Sequence, residues 1–567
     1  MIKSLIRTLI LFAPVLCSCS ENDGPDAPGL PPEPGADGQS ALTASYSGKH
    51  FRLAGDMNFN GAITDSWTDT VWQNDRIHNQ IILKNSGAEI RKLTFAVTPL
   101  SGHDYEISAD NIRLRGVKMV AGDAAPAVDA QPSPRPLTYV GDALSETLPQ
   151  SILPGQTEAI WLSVDVPDGC PPGSYSGSVD ILSDTNLLAS CKINILVTSH
   201  RLPDPCDWTF HLDIWQFPFQ LPTLISQNGG GDTEMFSQKY FDLMRPFYSI
   251  LADAGQKSIT AYIKDGAFQQ GQTMVGWTLR ANGTWNFDYT GFDRYVEFMD
   301  GLGINRQISC FSLAGWNNFI GYTDESDGGK YKYMQLTVGS DEFNSVWSSF
   351  LNDFRSHLQS KGWLARTVLF MDENTNDEIH RIVNLIRENG SDWKIGFSGR
   401  YIDADVEREF YNYAAIIGSP MNTTAIDIPL FYTSCSQTHP NNYITPLTSP
   451  AEMTWMAWHA MAKGFKGYQR WAFDYWTRPD ELDARDRGNT AGDFHMIYRS
   501  GNSADATPVG SIRWEMLREG IQDYEKARIL GMHKLRTVIL PFSDSEAANA
   551  PAYVNAAQAE LKRLSVL

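Results

Sequence analysis

The chain has 567 residues, 42% of them hydrophobic and 20% charged, with a net charge of −20 at pH 7. That length exceeds one small domain and fits about two or three. So acidic a surface disfavours nucleic acid or an anionic membrane as a partner, and beyond the first residues no hydrophobic stretch reaches membrane-spanning length.

The chain opens on a targeting pattern. Lys3 and Arg7 give a positive start, and the apolar stretch over 9–16 is too short for a transmembrane helix. It ends in Leu16-Cys17-Ser18-Cys19, which resembles a bacterial lipobox. Residues 1–19 are therefore expected to be a lipoprotein signal peptide, with lipid on Cys19; an ordinary secretory signal with two incidental cysteines is the alternative. Glu21 and Asp23 just past the cysteine resemble surface-export signals of Bacteroidota lipoproteins. The expected location is the outer membrane, facing the cell surface, with the periplasmic side as the alternative and the lipid anchor as the only membrane contact. The Pro/Gly/Asp-rich run over 20–41 cannot bury a core and reads as a tether. The other cysteines, Cys170, Cys191, Cys206, Cys310 and Cys435, are widely spaced and form no metal-like cluster. Export would permit a disulfide, with Cys170 and Cys191 as the candidate pair.

Over 42–203 the pattern is strand and turn. Strands are expected at 77–83, 159–164, 174–181 and 192–197, the third alternating polar and apolar after Pro171-Pro172-Gly173. Many short strands with Gly/Pro turns and no helical period indicate an antiparallel β-sandwich. Residues 202–205 read as a linker.

Over 204–535 short apolar strands alternate with helices. Strands are expected at 208–214, 257–263, 306–313, 366–371, 394–397, 425–432, 465–473 and 494–498, with helices between them and a long closing helix carrying Ile512, Leu517, Ile521 and Ala527. This fits a (β/α)₈ TIM-type barrel, an α/β fold. A doubly wound sheet is the alternative, but it usually advertises a Gly-rich first turn, and Gly229-Gly230-Gly231 lacks the following Lys and reads as a loop. Residues 536–567 are expected to be a C-terminal helical segment.

The strongest chemical signal is Leu369-Phe370-Met371-Asp372-Glu373-Asn374, where two acids end an apolar strand. In a barrel the strand C-termini form the active face. Side chains of neighbouring strand residues point apart, so both acids can serve one substrate only where the strand opens into its loop. Neighbours cannot easily flank a sugar on opposite faces, as a nucleophile and acid would, which argues for a nucleophile supplied by the substrate. The competing reading is that both acids only favour the N-terminus of the next helix, alongside Asp377 and Glu378. A metal held by Glu378 and His380 is a weaker option, since two-residue spacing does not share a helix face.

Aromatic residues give a second signal. Trp277, Trp285 and Trp316 follow the second and third strands, and 277–287 contains Asn282-Gly283 and reads as a hairpin. Trp471, Tyr475 and Trp476 follow the seventh expected strand, and Tyr432 ends the sixth. Rings at a barrel mouth suit stacking on sugars, although core packing is the commoner use of tryptophan. Asp213 and Trp215 lie near the end of the first strand; Arg470, Asp474 and Asp493 are polar candidates that structural ion pairing could equally explain. Cys310 and Cys435 sit on apparent strands and read as inert core residues.

From Tyr46 to Leu530 the chain resembles glycoside hydrolase family 123, the β-N-acetylgalactosaminidases. The resemblance rests on Ala254-Gly255-Gln256-Lys257, on 285–289, on Asp372-Glu373, on Arg470-Trp471-Ala472, and above all on the run 511–525, from Ser511 through Arg513, Glu515, Arg518 and Gly520 to Glu525. It implies a retaining, substrate-assisted reaction on terminal β-linked N-acetylgalactosamine, with no metal or organic cofactor. Asp372 would orient the 2-acetamido group, Glu373 would act as acid and then base, and Tyr432 would bond the acetamido carbonyl. Asp213, Trp215, Trp316, Trp471, Tyr475 and Asp493 are the further expected substrate contacts. Asn374 departs from the proline that often follows the acid pair in the family, which bears on loop geometry and so on specificity. Arg513, Glu515 and Arg518 read as mainly structural. The expected partner is a glycan containing N-acetylhexosamine. Another glycosidase specificity, or a surface glycan-binding lipoprotein on a dead barrel, are the alternatives, and the sandwich reads as a packing partner.

Overall fold

The structure, a computed structural model, describes residues 41–55, 61, 63–126, 136–265, 271–315, 317–400, 402–486, 488–545, 547 and 549–566. The expected signal peptide, and the tether except Ala41, lie outside them.

Residues 77–83 are apolar at most positions because their strand is covered on both faces. Arg76–Asn85 lies between Leu42–Tyr46 and Thr157–Asp165 in a seven-stranded sheet. Ile81 and Leu83 enter the sandwich core with Leu162, Val179 and Ile193. Ile82, on the other face, joins Trp161 and Trp208 in a core shared with the barrel. Alternate side chains leave a strand on opposite sides, so a strand buried twice shows no period of two. The facing sheet pairs Gly173–Ser183 with Asn186–Arg201 antiparallel, and the latter with Ser66–Gln73 in parallel. Cys170 and Cys191 are both buried and free, so no disulfide joins them.

Eight parallel strands follow: β1 (His211–Ile214), β2 (Ser258–Tyr262), β3 (Gln307–Phe311), β4 (Thr367–Asp372), β5 (Lys394–Gly399), β6 (Phe410–Ile416), β7 (Ile428–Tyr432) and β8 (Gly467–Arg470). β8 pairs with β1, and the Leu212–Gln256 bridge brings β1 to β2, giving a TIM-type barrel. The barrel was expected, but its strand count came from two compensating errors. β6 was not expected; its Asn412 and small Ala414 face the interior, where an apolar run would have marked a strand. The expected strand at 494–498 is not in the barrel. Tyr498–Arg499 and Pro508–Ser511 instead extend the seven-stranded sheet of the sandwich, Gly510 pairing with Leu144.

The lower barrel interior is polar and only partly cross-linked by hydrogen bonds, both carboxylate oxygens of Asp213 having no hydrogen-bond partner among the described residues. His211 Nε2 meets Ser258 Oγ at 3.0 Å, Asn412 donates to Gln307 at 3.2 Å, and Ser398 donates to Gln469 at 2.6 Å. The run 511–525 forms most of the closing helix Ile512–Leu530, buried from Ile512 to Ala527, and it is the seam between the two parts. Arg513 donates to Asp142 at 2.8 Å and Glu515 accepts from Arg115 at 2.7 Å, both partners being sandwich residues. Glu525 accepts from the backbone of Thr209 and Phe210 at 2.6 and 2.8 Å, fixing the entry into β1. Gly520 lets this helix touch Ala451–Lys463: a Cβ there would lie 2.6 Å from the carbonyl oxygen of Thr454.

Candidate active site

Inner and outer positions alternate along each barrel strand. Phe370 of β4 meets the Trp215 ring at 6.4 Å and that of Phe311 at 5.0 Å, so it points inward, and Asp372 two residues later does the same at the rim. Phe431 packs outward on His459 and Phe465, so its neighbour Tyr432 faces in at the end of β7. Gln469 bonds Ser398 across the interior, which puts Trp471 on the inner side just past β8. Asp372, Tyr432 and Trp471 therefore share the C-terminal mouth, above an aromatic layer of Trp215, Phe311 and Phe370.

Glu373 follows at the strand's last hydrogen bond. Its backbone has φ 51°, and its N–H donates to the carbonyl of Ser398 at 2.9 Å. A non-glycine residue in the left-handed region is uncommon and costs energy. Here it breaks the alternation that would send neighbouring side chains apart. Thr375 then caps the helix Asn376–Glu388, with Glu378 completing a capping box through Thr375. Asn374 donates to Glu378 at 3.4 Å. The helix-start reading thus holds for Glu378, which is occupied by the cap. His380 faces Asp403 at 3.5 Å, so Glu378 and His380 do not form the weaker metal option. His380, Asp403 and Asp405 do place ligand atoms within 4.8 Å of one another, as surface acids often do without an ion.

The electrostatics tie the acids to Tyr432. Burial, then the nearby charges of Glu373 and Asp372, raise the Tyr432 phenol far above its ordinary value, so it stays a donor. Its buried hydroxyl has no hydrogen-bond partner among the described residues. Glu373 is exposed at the rim, and the partial desolvation it meets there raises its carboxyl above the ordinary carboxylate value, with Arg400 opposing the rise. Arg400, just past β5, was not singled out from the sequence; the signal was a lone cation at a strand's C-terminal end.

Other expected substrate contacts lie below or behind the mouth. Asp213 is 0% exposed inside the barrel; burial pushes its carboxyl up to about 7, with Gln469 and Ser258 pulling the other way. Trp215 is 2% exposed and belongs to the aromatic floor. Tyr475 is buried against Phe217, at 4.6 Å between rings. Asp493 is buried in an ion pair with Arg470. Arg470 also holds the loop after β7 through Thr433 and Asn441, each at 2.7 Å. Asp474 is buried and accepts from Phe217 N at 2.7 Å. Asp213 and Trp215 face inward but lie below the rim, whereas Tyr475, Asp493 and Asp474 turn into the wall; sequence distance from the strand tells neither depth nor side. Trp316 lies outside the described residues. The hairpin at 277–287 is present as Gly276–Leu279 and Trp285–Asp288, but Trp277 is buried, stacked on Phe350 at 4.8 Å. Trp476 is buried and donates to the carbonyl of Ile497 at 2.9 Å. Cys310 is buried as expected, whereas Cys435 is exposed because β7 ends before it, at Tyr432.

Residues 228–530 match the model of the glycoside hydrolase 123 catalytic domain, and residues 50–183 that of the glycoside hydrolase 123 N-terminal domain. The chain belongs to glycoside hydrolase family 123. It is a glycoside hydrolase acting on glycans. A solved family 123 glycoside hydrolase from Clostridium perfringens, described in connection with glycolipid glycan hydrolysis, is similar in fold with TM-score 0.83 and 21% identity, over 92% of this chain and 98% of that one. A Bacteroides ovatus family 5 xyloglucanase in complex with a heptasaccharide aligns over 81% of this chain and 98% of its own, at TM-score 0.28 and 7% identity. No curated protein sequence matches this family 123 hydrolase.

Proposed function

We propose that the enzyme releases terminal β-linked N-acetylgalactosamine from glycans with retention, using the sugar's own 2-acetamido group as nucleophile. The observation that carries this is the placement of Asp372 and Glu373 side by side at one strand end. Two adjacent carboxyls on one chain segment suit work on the same side of the sugar better than opposed attack and protonation.

In this reading Asp372 accepts the acetamido N–H and aims the carbonyl oxygen at C1. Glu373 gives its proton to the glycosidic oxygen as the C1–O bond breaks and the oxygen–C1 bond of an oxazolinium ion forms. It then takes a proton from the water that opens that ring. The raised Glu373 carboxyl keeps more of the acid form available, which favours the first step. Tyr432, whose hydroxyl has no partner among the described residues, offers it to the acetamido carbonyl, and Trp471 offers a face for the sugar ring. The glycolipid glycan hydrolysis of the Clostridium perfringens relative is in keeping with a glycan of this kind.

The test is p-nitrophenol release from the β-GalNAc, β-GlcNAc and β-galactose glycosides by wild type and Asp372→Ala. Hydrolysis of the β-GalNAc substrate alone, lost in the variant, is the expected result. Equal turnover of β-galactoside, which has no acetamido group, would sink the mechanism.

A further inference from the structure

The loops after β2 and β3 build a second, four-stranded sheet on the barrel's C-terminal side, ordered Trp285–Asp288, Gly276–Leu279, Phe319–Asp324, Lys330–Gln335. The first hairpin packs outward, Trp277 and Phe287 lying on Phe350 of the helix Asp341–Lys361. The opposite edge carries Tyr331 and Tyr333, which share a strand face. Their rings meet edge to face at 5.4 Å and stay 51% and 43% exposed.

This exposed pair is held in place from below. The Tyr331 hydroxyl donates to Asp265, a residue with 0% exposure just beyond the end of β2. Asp265 also accepts from the backbone N–H groups of Gly271 and Gln272, the latter at 3.2 Å. The contact needs a glycine beside it: a Cβ on Gly321 would lie 2.2 Å from the Tyr331 hydroxyl and 2.3 Å from the Asp265 carboxylate. A buried carboxylate committed to orienting a ring that remains in solvent adds little apolar burial. It does remove the ordering cost that a ligand would otherwise meet. Lys332 on the same strand is neutralised by Asp324 and Asp327, each at 2.9 Å, so the platform presents rings and hydroxyls with little net charge.

We propose that Tyr331 and Tyr333 bind the neutral sugars on the leaving-group side of the glycan, stacking their C–H faces while the released sugar sits at Asp372 and Glu373. This rests on the reaction being placed at that acid pair. Both features belong to βα connections on one barrel face, so a glycan that left the mouth on the side of β2 and β3 would run toward the tyrosine edge.

The experiment compares kcat/KM for a neutral GalNAc-terminated tetrasaccharide with that for p-nitrophenyl β-GalNAc, in wild type, Tyr333→Ala and Tyr331→Phe. The ratio of tetrasaccharide to nitrophenyl glycoside is expected to fall about ten-fold in Tyr333→Ala, mostly through KM. Tyr331→Phe keeps the ring but frees it from Asp265, and a smaller fall is expected. A ratio within about two-fold of wild type in Tyr333→Ala, with its thermal melt intact, overturns the platform. If wild type cleaves neither substrate, the proposed reaction fails, and calorimetric binding of the same tetrasaccharide decides the platform. Binding lost in Tyr333→Ala sustains it; equal binding, or none to wild type, overturns it.

Discussion

The backbone N–H of Glu373 donates to the carbonyl oxygen of Ser398 at 2.9 Å while Glu373 holds φ 51°. A neighbouring strand thus pins the residue in a conformation that costs a non-glycine about 1–3 kcal/mol. Strain kept at one carboxylate, and relieved by nothing local, separates function from stability. Glu373→Gln and Glu373→Gly are both expected to lose at least about 100-fold in kcat. The glutamine variant, which keeps the strain, should hold its stability, and the glycine variant should gain up to about 1 kcal/mol over it in urea unfolding. A glycine variant clearly less stable than the glutamine variant would refute the strain.

Arg400 is expected to set the alkaline limb of the pH–rate profile. Partial desolvation at the rim raises the Glu373 carboxyl and the Arg400 cation lowers it. A positive charge favours carboxylate, so Arg400→Met removes the opposing influence and the pKa rises further. The acid form then survives to higher pH. The alkaline limb of kcat/KM should move upward, and an unmoved or lowered limb would count against Arg400 acting on Glu373.

What could be read from the sequence followed burial. The position of Asp372 at the barrel mouth was legible because Val368 to Met371 is a buried run that ends in charge at the strand's C-terminal end. Glu515 and Arg513 were legible as structural because a long, unusual run of charges must be satisfied somewhere, and the sandwich supplies Arg115 and Asp142. β6 was hidden because the polar barrel interior replaced its apolar face with Asn412 and alanine. Tyr475 was misplaced because alternation at a strand end is decided by the backbone path, and Trp215 because its depth below the rim is set by packing on Phe311 and Phe370, not by residue type. The left-handed turn at Glu373 had no glycine or asparagine to announce it.

Gly520 gives a test of helix packing against helix propensity. Alanine improves an isolated helix by about 1 kcal/mol over glycine. Here the added Cβ would lie 2.6 Å from the Thr454 carbonyl oxygen, which is backbone and cannot swing aside. Overpacking of this kind costs about 1–3 kcal/mol. Gly520→Ala should therefore lower the melting temperature, and a rise would show that the two helices can separate without penalty.

Glu515 should govern acid stability at the seam. Burial alone would raise its carboxyl, but Arg115, His78 and Arg76 outweigh that and hold it far below the ordinary carboxylate range. A carboxyl with a depressed folded pKa binds its proton more weakly folded than unfolded. Its contribution is complete above pH 4.5 and is lost progressively as pH falls toward the folded value. Glu515→Gln leaves Arg115, which is 4% exposed, without its carboxylate. The expected cost is about 3–5 kcal/mol at pH 7. Below pH 4.5 the gap between wild type and variant should narrow, because the wild type then loses what the variant never had. Urea midpoints at pH 7, 5 and about 3.5 measure this directly. A gap that stays constant over that range would mean that Glu515 contributes through shape and hydrogen bonding rather than through its charge.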